Sequence, residues 1–97
     1  MNRITEKQLQ AVVDRINRTL NKPMAPYIKG DDGFHVAQIG NYCLSHAYGG
    51  VALHQICNLG GGVHAVLGFG HVPKRELYDQ MHAFLKGIEA AREGVTA

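Results

Sequence analysis

The stretch Phe34–Leu67, FHVAQIGNYCLSHAYGGVALHQICNLGGGVHAVL, decides the fold. Its short runs of branched, aromatic and small residues are broken by Gly-Asn at 40–41, Gly-Gly at 49–50 and a triple glycine at 60–62. Such runs have strand character, and Gly-Asn or Gly-Gly between them signals hairpins. The stretch therefore predicts an antiparallel meander of three or four strands. A further strand around Tyr27–Lys29 would turn at GDDG, residues 30–33.

Taking Gly40-Asn41 as a two-residue loop sets Ile39 opposite Tyr42 and His35 opposite His46. Taking Gly49-Gly50 as the next loop sets Tyr48 opposite Val51 and Ser45 opposite His54. Side chains alternate between faces along a strand. One face then holds Tyr42, Leu44, His46, Val51 and Leu53. The other holds Gln38, Cys43, Ser45, Ala52, His54, Ile56 and Asn58. The first is bulkier and more apolar, so it is expected to meet the helices.

Two helices flank the meander. Thr5 and Gln8 form a capping box, and Ile4 with Leu9 fits a hydrophobic staple. Leu9, Val12, Val13, Ile16 and Leu20 repeat at helical spacing, with Asp14 and Arg18 placed to pair outside. Pro23 and Pro26 close this helix region, having no N–H to donate. Pro73 suits the first turn of a second helix, whose stripe is Leu77, Met81, Phe84, Leu85 and Ile88. Gly94 is a stop signal, and Gly87 inside the helix predicts a close packing contact. The expected fold is α+β in a single domain spanning 1–97. It has a helix over about 5–20, a sheet over about 34–68 and a helix over about 73–93, both helices on one face of the sheet.

Composition narrows the function. The chain has 97 residues, 45% hydrophobic and 19% charged, with ten basic and eight acidic residues. That balance lacks the strong basic footprint of a nucleic-acid binder. No apolar run is long enough to span a bilayer, and the N-terminus lacks the apolar core of a signal peptide. The expected location is the cytosol, with Cys43 and Cys57 as reduced thiols.

Between Gly33 and Pro73 there is no Asp, Glu, Lys or Arg, yet five of the six histidines lie there. Cys43-x2-His46 and His54-x2-Cys57 invite a zinc reading. Residues three apart on a strand point to opposite faces, however, so neither pair can reach one ion. Only His35 and His46 would be close, and no metal or other cofactor is expected. Cys43, Ser45 and His54 share a face, but the zone offers no acid to orient a histidine base, so no catalytic residue is expected. The glycine run is not a Walker loop, since no Gly-Lys-Ser/Thr follows it. Gly60, Gly61 and Gly62 would still present bare N–H groups as an anion nest. Lys74 and Arg75, with His71, supply the nearest cations. The candidate binding residues are these six together with His54 and Gln38 on the polar sheet face.

Three stretches belong together: GNYCLSHAYGGVALHQICNLGGGV from Gly40, GH at 70–71, and PKRELYDQMHAFLKGI from Pro73. They resemble a family of small proteins encoded in tailed-phage and prophage genomes. The resemblance implies a phage accessory product in the host cytosol and carries over no catalytic residue. Small folded phage proteins without catalytic groups often bind host machinery. The implied role is a non-enzymatic, anti-CRISPR-like inhibitor of a host protein or ribonucleoprotein complex. A charge-free sheet edge is a pairing liability, which leaves room for a homodimer. A nucleotide or nucleic acid held by the glycine loop and its basic neighbours is the alternative.

Overall fold

The computed structural model describes residues 3–67 and 70–96, the last four by backbone alone. Its elements are α1 (Glu6–Thr19), β1 (Tyr27–Lys29), β2 (His35–Ala37), β3 (Tyr42–Ala47), β4 (Gly50–Ile56), β5 (Val63–Ala65) and α2 (Lys74–Thr96). The fold is α+β, as the sequence predicts. Its strands form two small sheets rather than one, a ribbon β1–β2 and a meander β3–β4–β5.

α1 begins at the expected capping box. Thr5 Oγ1 accepts the Gln8 N–H at 3.1 Å, and Gln8 Oε1 accepts the Thr5 N–H at 2.8 Å. Two backbone donors that the helix start leaves open are thereby satisfied. The helix ends before the prolines. Asn21 takes a left-handed φ of 58°, and the Lys22 N–H returns to the Asn17 carbonyl at 2.7 Å. This closure is one of the standard helix stops, with Asn in glycine's place. On the outer face Asp14 accepts from the Gln10 amide at 3.0 Å rather than from Arg18.

The ribbon corrects the first hairpin. β2 pairs backwards with β1, in the register Tyr27↔Ala37, Ile28↔Val36 and Lys29↔His35. Gly40 and Asn41 form no two-residue loop, because their backbone is used elsewhere. The Gly40 N–H goes to the Ile56 carbonyl at 2.8 Å, and the Asn41 carbonyl accepts the Ile56 N–H at 3.0 Å. The pair thus lengthens the β3 side of the meander. His35 consequently lies beside Lys29 and is not opposite His46.

The second hairpin is displaced too. Ala47 pairs with Gly50, and Tyr48-Gly49 make the loop, with φ of 54° and 74°. Two positive φ values in succession suit the right-handed twist of a hairpin. Gly50 is held in the strand by its neighbour: a Cβ there would come within 2.9 Å of the Val72 carbonyl oxygen. The register runs Tyr42↔Gln55, Cys43↔His54, Leu44↔Leu53, Ser45↔Ala52 and His46↔Val51. It differs by two residues from the expected one, and a slip of two leaves every side chain on its original face. Tyr42, Leu44, Val51 and Leu53 therefore meet the helices as predicted.

The core joins Tyr42, Val51 and Leu53 to Leu9, Val12, Val13 and Ile16 of α1 and to Leu77, Met81 and Leu85 of α2. The Tyr42 and Phe84 rings lie 6.1 Å apart at a tilt. Val51 and Val72 exchange two backbone hydrogen bonds, at 2.8 and 2.9 Å, which bring the chain to the far edge of β4 just before α2. The Pro73 carbonyl then accepts from Leu77 at 3.1 Å. Gly87 has open space where a side chain would be, so the close contact expected there is absent. Gly94 does not stop α2, which continues to Thr96. Residue 68, the expected end of the sheet, lies outside the described residues.

Candidate interaction surfaces

Three surfaces carry groups that could meet a partner. The first is the face of the meander away from the helices. Cys43 and His54 are direct cross-strand neighbours there. Ser45 Oγ lies 3.0 Å from His71 Nε2. The His71 ring sits edge-on to both His54 and Tyr48, with centroids 5.9 Å away in each case. Tyr48, at the hairpin tip, is 98% exposed.

Burial first, then the charges of His71 and His64, lowers the His54 pKa. Burial raises the Cys43 thiol. Both shifts favour neutral side chains near pH 7, so the thiol is a poor nucleophile. Among the described residues no hydrogen bond joins His71 to a carboxylate, and no three metal-ligating side chains converge. This face offers rings and polar tips for contact.

The second surface is a groove of about 380 Å³ under the β3–β4 tip, lined in part by Glu6, His46, Gly49 and Lys74. His46 Nε2 lies 2.9 Å from Glu6 Oε1, and Lys74 Nζ lies 3.6 Å from the same oxygen. The His46 hydrogen bond is the chief cause of the lowered Glu6 pKa. The positive charges of His46 and Lys74 add to it, against a desolvation effect of opposite sign. Lys74 is thus turned toward an internal carboxylate, away from the role of a free cation.

The third surface is the outward face of the ribbon. Ile28, Phe34 and Val36 share it by strand alternation, and they are 51%, 73% and 40% exposed. On the reverse face Ala37 is buried and Tyr27 Oη lies close to Gly61, while Lys29 and His35 are exposed.

The structure separates several of the sequence candidates. The glycine loop is a closed turn: Gly61 N–H donates to the Asn58 carbonyl at 3.1 Å, and Gly62 N–H to Asn58 Oδ1 at 2.9 Å. Two of the N–H groups expected to form an anion nest are therefore occupied. Tight contacts explain the glycines better, because a Cβ on Gly61 would meet Tyr27 Oη at 2.6 Å and one on Gly62 would meet the Asn58 amide at 2.4 Å. Gly60 is bounded only by the Asn58 side chain. Gln38 leaves the polar sheet face: it lies past β2, with its Nε2 donating to the Ala25 carbonyl at 3.1 Å. His54 and His71 do come together, with Ser45 and Tyr48. Arg75 opens α2 beside Lys74.

Two features escaped sequence reasoning. The ribbon's apolar face was legible in the alternation of Phe34 and Val36 opposite Ile28. The other is Asn17, 1% exposed within the apolar side of α1. Its amide donates to the Tyr42 carbonyl at 3.0 Å and accepts the Tyr42 N–H at 2.8 Å. Among the described residues no helix is long and apolar enough to cross a membrane. No family model matches the chain, and no curated protein or solved structure matches it.

Proposed function

We propose that the protein is a non-enzymatic binding protein of phage or prophage origin. In this reading it is a counter-defence inhibitor, anti-CRISPR-like, that acts by contact with a host protein or ribonucleoprotein complex in the host cytosol. The observation that carries the binding reading is the ribbon. Two strands of three residues each, with Ile28, Phe34 and Val36 open on one face, gain little from water and are marginal by themselves. Exposed clustered apolar side chains mark contact surfaces. Three side chains cover far less than the roughly 800 Å² per partner that a stable specific interface uses. The ribbon is therefore one part of a wider contact with a larger partner, and a poor basis for a self-dimer. Tyr48 at the other hairpin tip adds an aromatic anchor of the kind enriched at binding hot spots. The phage assignment rests on the resemblance of the stretches from Gly40, Gly70 and Pro73.

The test is a pull-down from host lysate with tagged protein, compared with the triple variant Ile28→Ser, Phe34→Ser, Val36→Ser, together with phage plating on a CRISPR-active host. A stoichiometric host partner lost in the variant supports binding through the ribbon, and restored plating supports counter-defence. Absence of both removes the proposal. The nucleotide alternative predicts salt-sensitive binding through Lys74 and Arg75, and flat titrations with RNA, DNA and nucleotides at low salt dismiss it.

A further inference from the structure

The Asn17 clamp reveals what the rest of β3 offers. β3 is an edge strand of the meander. In an antiparallel pair, backbone groups point alternately toward the partner strand and away from it. Tyr42 points away from β4, because its N–H and C=O both go to Asn17. By the same alternation Leu44 and His46 turn their N–H and C=O groups outward, while Cys43, Ser45 and Ala47 face β4. Asn17 satisfies only the first of these three outward residues. Leu44 and His46 present two donors and two acceptors at a strand edge without a single charged side chain. Charged residues are a common guard against pairing there.

The flank of that edge has its own chemistry. Glu6, Gln10, Asp14 and Asn17 follow one another at helical spacings of four, four and three, which places them in a row on α1. Both ends of the row touch β3, Glu6 at the His46 ring and Asn17 at the Tyr42 backbone. The row therefore runs alongside the open edge. Glu6 already has Lys74 at 3.6 Å. Asp14 has the neutral Gln10 amide as its hydrogen-bond partner and remains the carboxylate to be answered.

We propose that the outer edge of β3 takes up an extended basic segment of a partner protein. Its backbone pairs with Leu44 and His46, and Lys or Arg at alternate positions lies over the Gln10–Asp14 side of α1. Main-chain bonds supply affinity and alternate side chains supply selectivity, as in other strand additions. Charge complementarity selects this occupant over a second copy. The chain's own β3 has no Lys or Arg to set against Asp14. This edge involves none of the ribbon's residues, so its test is separate from that of the ribbon contact.

The probe is a short capped peptide alternating Lys and Val, with a Glu–Val copy and an N-methylated Lys–Val copy as controls. Backbone amide exchange and chemical shifts are read at Leu44 and His46. In the free protein both amides exchange fast, and the Lys–Val peptide slows them. The Glu–Val and N-methylated copies bind ~10-fold more weakly or worse. His46→Pro removes an outward N–H that the β4 ladder does not use, a place where edge strands tolerate proline, and it loses the peptide. His46→Gln keeps the N–H and keeps the peptide. Asp14→Lys turns the preference toward the Glu–Val copy. The proposal is overturned if both amides are already protected in the free protein, if ~1 mM Lys–Val peptide changes neither, or if the N-methylated copy binds equally well.

Discussion

The two sheets are built from similar residues and meet opposite fates. β3 and β4 set Tyr42, Val51 and Leu53 against two helices. The ribbon has a comparable apolar set in Ile28, Phe34 and Val36 and covers it with nothing of its own. Hydrophobic character alone does not separate them. What differs is the supply of amphipathic faces. α1 and α2 each provide one stripe, and both stripes are used on the meander. The chain thus makes more apolar sheet than its helices can bury, and part of the excess lies on one ribbon face.

Five substitutions break or sharpen that contrast. The largest effect is expected at Leu53, 1% exposed. Leu53→Ala should cost about 2–5 kcal/mol, whereas Ile28→Ala on the ribbon should stay within about 0.5 kcal/mol. Urea unfolding of both variants measures the gap, and equal costs would show the ribbon to be part of the folding core. Next is Asn17→Leu, which strands both backbone groups of Tyr42. A loss of about 2 kcal/mol is expected, with weakened amide protection at Tyr42 in hydrogen exchange.

Smaller and opposite in sign is Tyr48→Asn. A bulky residue at φ 54° holds a conformation that Asn adopts more readily. The substitution should stabilise the fold by about 0.5–1 kcal/mol. If Tyr48 is a contact anchor, the same variant weakens partner capture, so gain of stability and loss of binding appear together.

The smallest effect is pH-dependent. The folded His54 pKa lies below the ordinary histidine value of 6.5, so the unfolded state binds the proton more tightly. This contribution is fully present above pH 6.5 and is lost as pH falls through 6.5 toward the folded pKa. Glu6, also depressed, acts lower, its contribution fading as pH falls below the ordinary glutamate value of 4.5. His54→Gln should flatten the upper part of the acid side of the stability curve. An unchanged slope between pH 7 and pH 5 would assign that part to other groups.

Much of the helix and face pattern was legible because it depends on local rules. The capping box needs only Thr5 and Gln8, and the core stripes need only spacing. The division of the meander into faces withstood an error in the turn because the error was two residues, an even number. The Tyr27–Lys29 strand and its turn at GDDG were legible, but β2 was assigned to β3 because Gly40-Asn41 carries a genuine hairpin signal. Ile56, sixteen residues on, claims the backbone of that pair. The glycine loop was misread for a related reason: its N–H groups look free until Asn58 folds back over them. Asn17 gave no signal, since one amide beside an apolar stripe reads as a helix flank. Each of these failures is a backbone group taken by a distant or side-chain partner, which periodicity does not encode.

Asn17 has a final consequence, a chemical one. Its amide acts as a peptide group on a short stalk, offering Tyr42 one donor and one acceptor. Deamidation would leave its size almost unchanged and replace the donor by a second oxygen, setting a carboxylate against the Tyr42 carbonyl. The folded helix shields the side chain from that reaction, and damage in the unfolded chain is carried into the next refolding. Protein cycled repeatedly through denaturant should therefore accumulate an acidic, poorly refolding fraction on isoelectric focusing, and Asn17→Ser should not produce the part of it that arises at this site.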